Sequence, residues 1–129
     1  MFSCYNSSME NFSIGTDIEQ IARFKNKTLD GDKNFLDKIY TEKELQYCYA
    51  TKNFAQHLCV RFCAKEAVVK ALSEFDINDV YYKDIEILNR NNGAPIVKIA
   101  KKPEFNVKVS LSHCKDYATA TAIITKESL

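Results

Sequence analysis

An acid set among apolar residues on a helix is the first feature of this sequence that could do chemistry. Residues 61–71, Arg-Phe-Cys-Ala-Lys-Glu-Ala-Val-Val-Lys-Ala, contain neither Gly nor Pro, and Ala, Lys, Glu and Phe at this spacing predict a helix. At about 100° per residue, with Phe62 as the reference, Val69 and Leu58 fall within roughly 40° and Leu72 roughly 80° to the same side. Glu66 lies roughly 40° to the other side, followed by Cys59, Lys70 and Cys63. A carboxylate with apolar or soft residues on both flanks is costly to bury unless a cation or a metal meets it. Lys70, one turn on, offers a plainer reading: an i,i+4 Glu–Lys pair on a solvated edge, contributing about 0.2–0.5 kcal/mol. Asp17, at the end of a short apolar segment, is the third candidate, as a helix cap or as a ligand.

Composition narrows what these groups could serve. The chain has 129 residues, 46% of them hydrophobic, and a formal net charge of +1. That suits one domain with a modest core and gives no electrostatic case for nucleic acid as the main partner. No apolar run approaches the ~18 residues of a membrane span. Residues 1–11 are polar, which predicts a disordered leader rather than a signal peptide, so the expected location is the cytoplasm, or an organelle if a transit signal has been removed. The domain is expected over residues 12–129. Five cysteines in no framework spacing predict free reduced thiols. His57, Cys59 and Cys63 lack the regular spacing of a structural zinc site. Residues 30–34, Asp-Gly-Asp-Lys-Asn, open like a calcium loop, but Phe35 stands where that loop needs Gly and Thr41 where it needs Glu.

The elements that must position the candidates follow in order. Residues 12–18 predict a short strand with apolar alternation at Phe12 and Ile14, extended to Thr16, that ends at Asp17 before a helical turn. Gly15 inside it predicts a bulge or a close backbone approach. A short helix is expected over residues 35–39. The Thr41-Glu42-Lys43-Glu44 capping box starts another, expected to end near Asn53, and the long helix runs from about Phe54 to Ser73. Beyond a loop at residues 75–79 the period changes to two. Residues 84–88 and 96–99 pair across an Asn91-Asn92-Gly93-Ala94-Pro95 turn, and two further strands cover residues 107–112 and 118–125. The expected fold class is α+β, helices packed on a mainly antiparallel sheet.

Three patches then form one pattern: Ile14-Gly15-Thr16-Asp17-Ile18 with Ile21-Ala22-Arg23; Arg61-Phe62-Cys63-Ala64-Lys65-Glu66-Ala67 with Lys70-Ala71; and Ser110-Leu111-Ser112-His113 with Asp116-Tyr117-Ala118. In this order and spacing the chain resembles the holo-[acyl-carrier-protein] synthases, the short 4′-phosphopantetheinyl transferases, over roughly residues 12–124. The resemblance implies a 4′-phosphopantetheinyl transferase fold, a homotrimer with sites between subunits, and transfer of the 4′-phosphopantetheine arm of coenzyme A to a serine of apo acyl carrier protein in fatty acid biosynthesis. It implies Mg²⁺, with Mn²⁺ as a substitute, held by Asp17 and Glu66, and Lys70 on the pyrophosphate. That division suits Mg²⁺, which takes one or two carboxylates and leaves room for waters and phosphate oxygens. Coenzyme A is expected at Arg61, Lys65, Gly93, Pro95, Ser112 and His113, with Arg61 and Lys65 on the 3′-phosphate. The acidic carrier is expected to dock on Arg23, Phe24 and Lys25, extended to Lys27. The general base is either Glu66 or a metal-bound water.

Two departures from the family pattern stand out. Cys63 replaces a usual Ala, and the Gly-rich segment that bacterial members carry after the Lys-Ala of the long helix is here Leu72-Ser73-Glu74-Phe75-Asp76-Ile77. The competing readings are a transferase serving polyketide or peptide synthetase carriers, and a non-catalytic subunit that binds carrier or coenzyme A. The short length argues against the first, and the retention of Asp17, Glu66 and Lys70 together against the second.

Overall fold

The computed structural model describes residues 11–127; of the expected leader, residues 1–10 lie outside these, as does Cys4. The architecture hangs on α3 (Phe54–Ser73), the helix expected from the sequence, with the same bounds. One side of it lies on a three-stranded antiparallel sheet of order β1-β5-β4, with β1 at Phe12–Gln20, β4 at Phe105–His113 and β5 at Tyr117–Lys126. A separate hairpin, β2 (Ile85–Asn89) and β3 (Pro95–Ile99), and two short helices, α1 (Lys33–Ile39) and α2 (Glu42–Tyr49), complete the fold. The α+β expectation holds, with the antiparallel strands divided between two sheets.

Strand β1 corrects two sequence readings. It runs on to Gln20, so Asp17 sits inside the strand and caps nothing; the 3₁₀ turn that follows covers Ile21–Phe24. Its apolar alternation points away from the core. Phe12, Ile14 and Ile18 are exposed, while Ser13, Gly15 and Asp17 face inward. The physical cause is the distance of the helix. A Cβ on Gly15 would lie 2.0 Å from the carbonyl oxygen of Ala67 and 2.9 Å from the Ala71 nitrogen. No side chain fits there, so Gly15 serves a close backbone approach rather than a bulge. Ser13 Oγ uses the same proximity, donating to the Ala71 carbonyl at 2.8 Å. The facing surfaces are built from small residues, Ala64, Ala67 and Ala71 on α3 and Ala118, Ala120 and Ala122 on β5, all buried.

The other side of α3 is tied by charge. Thr41 and Glu44 form the expected capping box of α2, which ends at Tyr49, four residues before the expected Asn53. Glu44 is fully buried, and its carboxylate does more than cap: Oε1 accepts from Lys65 Nζ at 2.7 Å and Oε2 from the Ile87 amide at 2.9 Å. One side chain thus joins α2, α3 and β2. The hairpin turn closes with Gly93 at φ +89° and reciprocal bonds between Arg90 and the turn, Gly93 N–H to Arg90 carbonyl and Arg90 N–H to Ala94 carbonyl, both 2.8 Å. After α3, where the family glycines are missing, Asp76 takes the left-handed backbone itself at φ +59°. Asp tolerates that region better than most side chains.

Gly15→Ala is expected to cost about 3 kcal/mol, the upper part of the overpacking range, because the obstruction is backbone on both sides. Urea unfolding measures it. A loss below about 1 kcal/mol would show that α3 can back away freely and that the contact does not set the packing.

Candidate active site

The close approach of β1 to α3 carries Asp17 to Lys70. Lys70 Nζ donates to the Thr16 carbonyl at 2.9 Å and to Asp17 Oδ1 at 3.3 Å. It reaches the strand rather than Glu66, so the plain i,i+4 pair does not form. The Lys70 side chain is 54% exposed and that of Asp17 11%. An ammonium has three N–H donors, so one remains to face solvent or a ligand. Asp17 Oδ2 is buried and has no hydrogen-bond partner among the described residues. An unpartnered carboxylate oxygen beneath the surface is costly, and it is the kind of group a cation would satisfy.

Glu66 is half-buried, one turn before Lys70. Its Oε1 accepts the hydroxyl of Tyr82. That bond, then burial, then the charges of Glu66, Asp17 and Glu19 push the Tyr82 phenol up to about 12, so it stays a donor near neutral pH. Glu19 is a group the sequence reading missed. It lies two residues beyond Asp17 on the same face of β1, and burial, then the neighbouring Asp17 carboxyl, raises its pKa. It holds Arg23 at 2.5 Å. The period-two signal was available, but only once the strand is known to reach Gln20. Among the described residues no three His, Cys, Asp or Glu side chains form a ready-made metal cluster. The carboxylates of Asp17 and Glu66, the first with an orphaned oxygen, are still of the donor type a hard cation takes while it keeps waters and accepts further ligands from phosphate.

A cavity of about 230 Å³ lies beyond the N-terminal half of α3, and Arg61, Gly93 and His113 line it together with Tyr47, Gln56 and His57. Arg61 is buried from bulk solvent, with 4% of its surface exposed, although it lines the cavity. It lies 4.4 Å over the Tyr47 ring, donates to Asn89 Oδ1 at 2.6 Å, and keeps a buried Nε with no partner among the described residues. Gln56 and His113 meet side chain to side chain at 3.0 Å. Burial, then the charges of Arg61 and His113, lower the His57 pKa. Pro95 stands outside the lining, at the start of β3 opposite Asn89. Ser112 lines an adjacent apolar cavity with Ile18, Cys114 and Tyr117, which shares only His113 with the first.

Two expectations fail on burial. Lys65 is completely buried and all its donors are spent, on Glu44 Oε1, the Tyr82 carbonyl and the Ile85 carbonyl; it cannot meet a 3′-phosphate at the surface. Phe24 is also fully buried, its ring centroid 5.8 Å from that of Phe62, so it belongs to the core and not to a docking surface. Arg23 lies over the same two rings and is half exposed, and Lys25 is exposed. Lys27 is drawn toward Asp32 at 3.9 Å and over Phe35. Lysines that the sequence reading passed over gather elsewhere. Lys52 and Lys115 join Lys25 around a groove of about 290 Å³ at the start of α3, which shares Gln56 with the lining of the Arg61 cavity. Nothing local in the sequence marks them, because three distant segments supply one each.

Comparison with known proteins gives this geometry a family. The profile of the 4'-phosphopantetheinyl transferase superfamily matches residues 13–122, and the chain belongs to it. Its relatives include the holo-[acyl-carrier-protein] synthase of Aquifex aeolicus, 42% identical over 122 residues, with 89% of this chain and 99% of that protein covered. Among solved structures, the holo-(acyl-carrier-protein) synthase from Bacillus anthracis in complex with CoA (3',5'-ADP) superposes with a TM-score of 0.75 at 30% identity, covering 89% of this chain and 96% of that one. The Helicobacter pylori holo-[acyl-carrier-protein] synthase in complex with coenzyme A gives 0.74 at 25% identity, over 87% and 99%.

The burial of Lys65 has a measurable consequence. Lys65→Met is expected to cost about 3–5 kcal/mol in urea unfolding, because it leaves the Glu44 carboxylate buried without its cation. Adding Glu44→Gln is expected to restore part of that loss. Near-wild-type stability in the single variant would contradict the structural role.

Proposed function

We propose that this protein is a holo-[acyl-carrier-protein] synthase, an enzyme that moves the 4′-phosphopantetheine arm of coenzyme A onto a serine of apo acyl carrier protein and releases adenosine 3′,5′-bisphosphate. The observation that carries the reading is the meeting of Asp17 and Lys70 across β1 and α3, with Asp17 Oδ2 buried and without a partner among the described residues. The reaction joins the serine oxygen to the phosphorus bearing the pantetheine arm and breaks the pyrophosphate bond, while the serine proton leaves to a base. Such transfers depend mainly on positioning and on neutralising charge. Asp17 and Glu66 would hold Mg²⁺, or Mn²⁺ in its place, which supplies charge neutralisation at the pyrophosphate when bound. Lys70, anchored to β1 by Thr16 and Asp17, presents its remaining N–H to a phosphate oxygen and stabilises the leaving phosphate. The base that takes the serine proton would be Glu66 or a water beside the cation.

The Arg61, Gly93 and His113 cavity suits the nucleotide end of coenzyme A. The charge expected from Lys65 is instead offered by Arg61 and by the neighbouring lysines Lys25, Lys52 and Lys115. Ser112 and Pro95 remain candidates at the margin of that site. Arg23 is the docking residue we favour for an acidic carrier, since a planar guanidinium can bind a carboxylate through two N–H groups. The exposed sheet face formed by Phe12, Ile14, Ile18, Tyr117 and Ile123 is an apolar surface of the kind that marks association, and it supports the homotrimer. Among the described residues no helix is long and apolar enough to cross a membrane. The free thiols of Cys48, Cys59, Cys63 and Cys114 suit a reducing compartment, the cytoplasm or an organelle interior, and the proposed process is fatty acid biosynthesis.

The test is the mass of apo acyl carrier protein after incubation with this protein, coenzyme A and Mg²⁺. A phosphopantetheine adduct is expected, lost by more than about 100-fold in Asp17→Ala and in Glu66→Ala. Arg23→Glu should raise the KM for the carrier and leave that for coenzyme A nearly unchanged, and the wild type should sediment as a trimer. Absence of adduct across several carriers would leave the binding-subunit reading in its place, and full activity in either carboxylate variant would refute the metal assignment.

A further inference from the structure

We infer that Tyr82 is a positioning residue for Glu66, a tyrosine held at both ends by consecutive residues of α3 so that the carboxylate is fixed before any ligand arrives. The inference rests on the reading of Glu66 as a metal ligand. Tyr82 opens the 3₁₀ turn Tyr82–Asp84 that leads into β2. Its backbone carbonyl accepts from Lys65 Nζ at 2.9 Å, and its hydroxyl donates to Oε1 of the next residue, Glu66. Its ring lies against Phe62, one helical turn earlier, with centroids 5.5 Å apart. The carbonyl anchor is itself immobile, because Lys65 is locked to Glu44 in a fully buried ion pair. The turn is closed from the other side by the Tyr81 amide, which donates to Asp84 Oδ2 at 2.9 Å.

This arrangement answers a problem the helix alone leaves open. Glu66 is only half-buried, and a glutamate at such a position has several rotamers within reach. A ligand that needs one of them would bear the entropy of ordering the side chain. The Tyr82 hydroxyl selects one rotamer and occupies one oxygen, leaving the second for the cation. Partners of this kind outside a metal's own ligand set are worth about 10–100-fold in metal affinity or activity when removed. The buried Glu44–Lys65 pair therefore reaches the active site through Tyr82, which gives Lys65 a function different from the phosphate contact its sequence position suggested.

Tyr82→Phe isolates the hydroxyl, since the ring and its packing on Phe62 are kept. Mn²⁺ binding is read by electron paramagnetic resonance in the presence of coenzyme A and the absence of carrier protein, with Tm measured alongside. The expected result is an Mn²⁺ Kd about 10-fold higher, a Tm close to wild type, and a lower kcat with little change in KM for coenzyme A. Glu66→Gln serves as the reference and should weaken Mn²⁺ further. Wild-type Mn²⁺ affinity in Tyr82→Phe, with Glu66→Gln weakened, would overturn the inference and leave the metal reading standing. Wild-type affinity in Glu66→Gln would overturn both.

Discussion

The fold depends on one contact in which two backbones touch. Gly15 of β1 lies so near the Ala67 carbonyl that any side chain would overlap it. Everything that faces this junction is small, and the strand and helix cannot slide past one another without meeting a Cβ. A one-residue slip would also turn Asp17 outward. The contact fixes the register that brings Asp17 to Lys70 and leaves Glu66 on the same stretch of α3, one turn before that lysine. Site and packing are here the same constraint: the residues that could bind a cation and a phosphate stand where they do because Gly15 has no side chain.

The opposite side of α3 is held by different physics. The Glu44–Lys65 pair is buried, and such a pair is weak evidence for net stability, because desolvation offsets most of the attraction. Its value is directional. Between them the two groups bind the capped start of α2, the Tyr82 and Ile85 carbonyls and the Ile87 amide. These bonds leave little freedom in where the segment after α3 returns. Small-residue contact on one face and a saturated ion pair on the other clamp the helix between two sheets, and the polar face that remains carries Glu66 and Lys70.

Much of this was legible in the sequence. The bounds of α3, the hairpin about Gly93 and the capping box of α2 follow from local rules, and the structure has all three. Asp17, Glu66 and Lys70 were singled out by position and resemblance, and Lys70 and Asp17 do meet. What was misread depended on neighbours far away in sequence. The alternation in β1 was visible, but which face it turned to the core depended on the closeness of α3. Phe24 looked like a surface aromatic beside basic residues, until Phe62 claimed it. Lys65 had a local warning: on the helical wheel it falls between Leu58 and Leu72, roughly 60° from Phe62 on the apolar side. Its partner, Glu44, lies 21 residues earlier in a capping box, and the cap alone already accounts for that carboxylate locally. The groove of Lys25, Lys52 and Lys115 had no local mark at all.

The proposal that most needs testing is that Asp17, carried beside α3 by the Gly15 contact, and Glu66 of that helix hold one metal ion between them. Crystals grown with Mn²⁺ and coenzyme A, measured at a wavelength where manganese scatters anomalously, test it directly. One manganese peak in contact with both carboxylates is the predicted result. A peak that touches neither Asp17 nor Glu66 would contradict the account.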